Sequence, residues 1–170
     1  QRVRSVVIAT RQTYPRCGAG RTGFTDGPCD TATFGNPTGL ATHIPTNMLY
    51  IGDDRYNSAV RKMSMSAGTL VTVAGTGSTD ATSIDDVGVK ASFNRPYRIA
   101  FGADDKLYIC DVVHGKVRVM DTTNNNDVQT IYAPGPGAQP NGIAFGSAGE
   151  VYISSADHML KAFGVAMPNP

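Results

Sequence analysis

The sequence predicts an all-β chain, and three observations carry that reading. β-Branched and turn-forming residues dominate, with 17 Thr, 15 Val and 19 Gly against five Leu, five Lys and a single glutamate, Glu150. Val and Thr suit a pleated, half-buried surface, while strong helix formers are scarce. Short runs alternate with period two, so that Val117 and Val119 share one face and Arg118 and Met120 the other. Finally, these runs recur in the same order along the chain. An all-α bundle and a coiled coil are excluded. A net charge of +1 over 170 residues, with no Lys/Arg block, argues against a dedicated nucleic-acid surface. No apolar run approaches the roughly 18 residues of a membrane span, so no membrane insertion is expected.

Each repeat opens on a proline-led strand: Pro37-Thr-Gly39-Leu-Ala41, Pro96-Tyr-Arg98-Ile-Ala-Phe101 and Pro140-Asn-Gly142-Ile-Ala-Phe145. A polar turn leads to a second strand: Leu49-Tyr-Ile-Gly-Asp53, Leu107-Tyr-Ile-Cys-Asp111 and Val151-Tyr-Ile-Ser-Ser155. The third strand is Val60-Arg-Lys-Met63, then Val117-Arg-Val-Met120, then Leu160-Lys-Ala-Phe163. A fourth, Leu70-Val-Thr-Val-Ala74 or Val128-Gln-Thr-Ile-Tyr132, closes the first two repeats. The prolines Pro37 and Pro96 lie 59 residues apart, and Pro96 and Pro140 lie 44 apart. The longer spacing arises from an added segment, Asp26-Gly…Ala32-Thr-Phe34 or Asp85-Asp…Ala91-Ser-Phe93, that the third repeat lacks. Four short strands per repeat, joined by Gly, Asn and Asp turns, form a propeller blade.

These motifs resemble the NHL-repeat family of β-propellers: Pro-x-Gly-(Leu/Ile)-Ala, Leu-Tyr-Ile-x-Asp, Val-Arg and Val-Thr-Val-Ala-Gly, with Asp26-Gly…Ala32-x-Phe34…Pro37 between blades. The resemblance spans about residues 18–163, with departures at Arg98, Ser155 and Asp86. It implies three four-stranded blades, over about 36–75, 94–133 and 139–164, the last closed by a strand at 3–9. Closed propellers have four to eight blades. The chain is therefore expected to be a fragment or half of a six-bladed ring, the half closed by a second copy, or a subunit of an open head-to-tail filament. Its partner is protein: another copy of itself or the remainder of a longer polypeptide. The absence of an initiating Met and of a secretory leader reads as a processed or excised product.

The sequence offers few chemical constellations. The resemblance raises a channel zinc site, which needs about three convergent imidazoles. The only histidines are His43, His114 and His158, read as solvated turn residues, so no metal and no cofactor is expected. The doublets Asp53-Asp54, Asp85-Asp86 and Asp104-Asp105 point their side chains apart and read as structural. Asp53 and Asp111 are expected to bond turn amides. No Gly-x-Ser-x-Gly elbow occurs, and no catalytic residue is assigned. Arg55, Tyr56, Arg95, Tyr97, Arg98 and Lys116, with His114, Asn141 and His158, fall in turns of one propeller face and form the expected binding face. Nucleic acid is the less favoured partner, although the resemblance implies single-stranded RNA binding on such a face. Cys17 and Cys29, 12 residues apart around a Gly-rich loop, read as a disulfide in a secreted protein or as reduced thiols. The functional expectation is a non-enzymatic protein-binding or assembly module, extracellular. The alternative is part of a lyase- or hydrolase-like propeller enzyme completed by further blades.

Overall fold

The computed structural model describes residues 1–79, 82–133, 137–147 and 149–156, with the backbone of 161–164. The chain opens on a hairpin, β1 (Val3–Val7) and β2 (Gln12–Cys17), and a two-residue strand, β3 (Gly27–Pro28). The first blade follows as β4 (Pro37–His43), β5 (Met48–Asp53), β6 (Ala59–Ser64) and β7 (Thr69–Ala74). The second is β8 (Pro96–Phe101), β9 (Leu107–Asp111), β10 (Lys116–Asp121) and β11 (Asp127–Tyr132). A third sheet contains β12 (Pro140–Phe145), β13 (Glu150–Ser155) and β14 (Lys161–Gly164). All these sheets are antiparallel, and no described helix is long and apolar enough to cross a membrane.

Turn chemistry sets the hairpins. Asn47 ends the β4–β5 connection at φ 55°, Asp105 turns β8 into β9 at φ 61°, and Gly68 precedes β7 at φ 63°. Left-handed backbone is cheapest for Gly and tolerated by Asn and Asp. The apolar side chains collect in three clusters between successive sheets. Val3, Phe34, Ile51 and Leu70 lie in one, Val60, Phe93, Ile109 and Met120 in the next, and Val117, Val151 and Ile153 in the last. Packing between sheets is what makes the repeats blades of a propeller.

The segment preceding each of the first two blades runs along that blade's outermost strand. Gly27 pairs with Leu70, and the Val128 amide donates to the Asp86 carbonyl at 3.0 Å. From this edge an acidic side chain reaches inward to a buried arginine. Arg61 bonds Asp53 at 3.0 Å through Nη1 and Asp26 at 2.5 Å through Nη2, while Asp26 accepts from the Thr72 amide and hydroxyl. Arg118 repeats the arrangement with Asp111 at 3.2 Å and Asp85 at 2.5 Å, and Asp85 accepts from Thr130. Both arginine side chains are fully buried and lie over the Phe34 and Phe93 rings. This Asp–Arg–Asp brace ties the second and third strands of each of the first two blades to its outer edge. Asp53 and Asp111 thus do more than cap turns.

The strand expected to close the third blade does not do so. β1 pairs with β2, a strand the Gln12–Cys17 sequence concealed because its proline and charges break the alternation. The hairpin is held against the first blade by Val3 and Cys17. The Cys17–Cys29 disulfide fastens it to the segment that precedes that blade. Such a bond fits an oxidising compartment.

Candidate functional site

The face that gathers the expected site residues is the one where each blade's second strand turns into its third and where the chain enters each first strand. Arg55 and Tyr56 occupy the exposed turn after β5, with Tyr56 59% exposed and Arg55 at φ 34°. Arg95 enters β8 at φ 69° and reaches back to the first blade, placing Nε 3.0 Å and Nη2 3.3 Å from the two Asp54 oxygens. That forked pair holds Asp54 buried and keeps the Arg95 guanidinium firmly charged, its pKa raised by the hydrogen bonds to Asp54. Arg95 is therefore a clamp between blades rather than a free cation. Asp54 was invisible as a partner in the sequence because it precedes Arg95 by 41 residues.

Arg98 lies over the Tyr97 ring at 5.3 Å and is exposed. Arg98 takes the place of Gly39, and β8 carries the same register shift after its leading proline as β4 and β12. Lys116 begins β10 opposite Asp111. Asn141 stands on β12 with a buried Oδ1 that has no hydrogen-bond partner. Ser155, in the place of Asp53 and Asp111, still accepts the Gln139 amide at 3.0 Å. His158 lies outside the described residues.

His114 departs from its expected role. It is not a solvated turn residue: its side chain is 6% exposed, and Nδ1 sits 2.8 Å from Asp111 Oδ2. Nε2 is buried without a hydrogen-bond partner. In the first blade the same place holds Asn57, whose Nδ2 donates both to Asp53 and to the Gly23 carbonyl, each at 2.7 Å. The Asp111 carboxylate thus fixes the orientation of the ring through Nδ1 and leaves Nε2 as the nitrogen without a partner, as carboxylates behind a general base or a ligand do. His43 is likewise enclosed, between Thr46 at 2.6 Å and Asp105 at 2.8 Å on the opposite face. No group of three His, Cys, Asp or Glu side chains converges on a metal position among the described residues. Cys110 is buried beneath β12, and burial pushes its thiol up to about 12, which keeps it protonated and unreactive.

Fold and site together define a β-propeller segment. No family model and no curated protein matches the chain. Among solved structures it is similar to virginiamycin B lyase from Staphylococcus aureus at 14% identity and a TM-score of 0.62, covering 98% of this chain and 50% of that one. A catalytically inactive histidine-to-alanine form of that lyase, solved with quinupristin, gives a TM-score of 0.60. A gluconolactonase from Xanthomonas campestris matches at 16% identity over 70% of this chain and 34% of its own, with a TM-score of 0.50. A Bacteroides thetaiotaomicron protein of unknown function reaches 28% identity over 64% of this chain and 26% of its own, at 0.58. The chain spans half or less of the length of each of these neighbours. The expectation of a non-enzyme is corrected here, because named enzymes stand among these similar folds. The physical reason is that a propeller assembles its site from several blades. A part of the ring without a recognisable catalytic motif is not thereby a non-enzyme.

Proposed function

We infer that the chain is part of an NHL-type propeller enzyme of lyase or hydrolase character, secreted, with its ring completed by blades outside this chain. His114 is the group that carries the reading. Asp111 Oδ2 lies 2.8 Å from its Nδ1, and its Nε2 is buried without a hydrogen-bond partner. An imidazole held by a carboxylate through Nδ1 is the arrangement of a general base that acts through Nε2 once further blades complete the site around it. Single-site contributions of a base are typically 10²–10⁴-fold in rate. The repeat itself supplies the control substitution. His114→Asn recreates the Asn57–Asp53 bond of the first blade, so the blade keeps its brace while the base is lost.

The test uses as probes quinupristin, bound in one of the similar lyase structures, and gluconolactone, the substrate class of the similar lactonase. Turnover of either by the assembled protein, falling at least 100-fold in His114→Asn with an unchanged circular dichroism spectrum, is the expected result. Equal turnover by the variant, or none by the wild type, overturns the assignment.

A further inference from the structure

The opening hairpin repeats the outer half of the first blade. Val3 pairs with Cys17 and Arg4 with Pro15, with a bulge between Val3 and Arg4. Val60 pairs with Ala74 and Arg61 with Thr72, with the bulge at the same Val-Arg step. β2 and β7 also end alike. A Cβ on Gly18 would meet the Gln1 carbonyl oxygen at 2.6 Å, and one on Gly75 the Ser58 oxygen at 2.7 Å. The Gly18 amide then donates to the Cys29 carbonyl at 2.8 Å, as the Gly75 amide donates to that of Gly88 at 3.2 Å. A bulge fixes the local register. β1 and β2 therefore take the places of β6 and β7, and Gln1 stands where Ser58 stands.

Two things that β6 has are missing from β1 among the described residues. β6 is paired on both edges, by β5 and β7, whereas β1 is paired by β2 alone. Arg61 is fully buried between Asp53 and Asp26, whereas Arg4 lies exposed on an open cleft of 460 Å³ with no carboxylate partner. A third gap lies on the first blade itself. Leu40, opposite Ile51, is 51% exposed. Its counterpart Ile99, opposite Ile109, is 5% exposed and packs in one cluster with Ala41 of the preceding blade's innermost strand. Val3 of the hairpin packs in the cluster of Ile51, so the free edge and the bare leucine lie on the same side of the first blade.

We propose that the free edge of β1 docks the inner strand pair of an adjoining blade, a hairpin of the β4–β5 type whose second strand ends in Asp. That second strand pairs with β1 as β5 pairs with β6, and sets an apolar residue opposite Arg4 as Ile51 stands opposite Arg61. Its Asp neutralises Arg4 as Asp53 neutralises Arg61 at 3.0 Å, and its first strand covers Leu40 as β4 covers Ile99. Strand addition at a free edge gives main-chain hydrogen bonds, and an arginine enclosed by it requires the acid. The β4–β5, β8–β9 and β12–β13 pairs already hold their places in their own sheets, so a second copy offers no such pair without opening a blade. The docking edge rests on the proposed completion of the ring by further blades and not on the role of His114.

The experiment joins a copy of residues 37–57 directly ahead of Gln1, because Ser58, whose place Gln1 takes, follows that segment in the first blade. Hydrogen exchange of the β1 amides is expected to slow to the rate of β6. Arg4→Gln, or Asp53→Asn in the added copy, reverses most of that protection, and the two together cost no more than either alone. Without the added copy, Arg4→Gln leaves β1 exchange unchanged. Unaltered β1 exchange on fusion, or losses that add, overturn the pairing. Protection of β1 in the unfused chain at a mass of twice 17.9 kDa assigns the edge to a second copy and overturns it equally. If the fusion aggregates, the free 37–57 peptide is added to the 170-residue chain instead, where saturable protection of β1 supports the pairing and its absence overturns it. Turnover is not read, so a failure here and a failure of the His114 assignment stay distinct.

Discussion

The first and second blades carry the same brace but differ in one residue beside it and in how they meet their neighbours. Asp53–Arg61–Asp26 and Asp111–Arg118–Asp85 superpose contact for contact. Beside the first, Asn57 satisfies both the carboxylate and a backbone carbonyl. Beside the second, His114 satisfies only the carboxylate and leaves a basic nitrogen unused. The junctions differ as well. A Cβ on Gly52 would meet the Pro96 carbonyl oxygen at 2.3 Å, and one on Gly39 would meet the Tyr97 oxygen at 2.5 Å, so the first two blades touch backbone to backbone. At the next junction Cys110 takes the place of Gly52 and approaches the Gly142 carbonyl through sulfur at 3.8 Å. The lesson is that the first two blades share the brace, while neighbouring positions vary between satisfying every polar group and leaving a buried nitrogen without a partner.

The comparison breaks most severely if an arginine is removed. Arg61→Ala or Arg118→Ala strands two carboxylates, one of them fully buried, and each is expected to cost about 3–5 kcal/mol in urea unfolding. Similar costs show the braces to be equivalent, and a large disparity would show that one blade does not depend on its brace. Next in size is the disulfide. Cys17→Ser with Cys29→Ser releases a 12-residue loop, a loss of about 3 kcal/mol on the loop-entropy account. Hydrogen exchange should rise first in β1 and β2, while the braced second blade is unchanged.

The junctions separate at a smaller scale. Gly52→Ala forces the first two blades apart and is expected to cost about 1–3 kcal/mol, whereas Cys110→Ala shortens a side chain facing a looser contact and costs less. Equal melting shifts would refute the difference in closeness. The smallest effect on stability comes with acid. Partial burial pushes the Asp85 carboxyl up, but the Thr130 amide and hydroxyl and the Arg118 charge outweigh it and leave its pKa below the ordinary value of 3.8. A carboxylate depressed in the folded state stabilises above its unfolded pKa and loses that contribution as pH falls through the folded one. Stability should therefore drop below pH 3.8, and Asp85→Asn should flatten that part of the acid-unfolding profile.

Much of the blade architecture was legible because a strand's partners are local: period-two alternation, Gly and Asn at turns, and Val-Arg steps all lie within one repeat. The Cys17–Cys29 pair was legible for the same reason, being close in sequence. Arg98 and Tyr97 were legible as neighbours, but the partner of Arg95 was not, because Asp54 belongs to the preceding blade. His114 was misread as solvated because nothing in Val113-His114-Gly115 announces that Asp111 folds back over it.

Sequence alone determined the repeat: which residues form the strands of each blade and where they turn. Those properties follow from short-range sterics and from the burial of alternating side chains. Tertiary structure alone decided which charges meet, which histidine nitrogen is left without a partner, and that the first hairpin stands apart from the third sheet. Contacts such as Arg61 to Asp26 and Arg95 to Asp54 span 35 and 41 residues, and only the packing of one blade on the next brings them together.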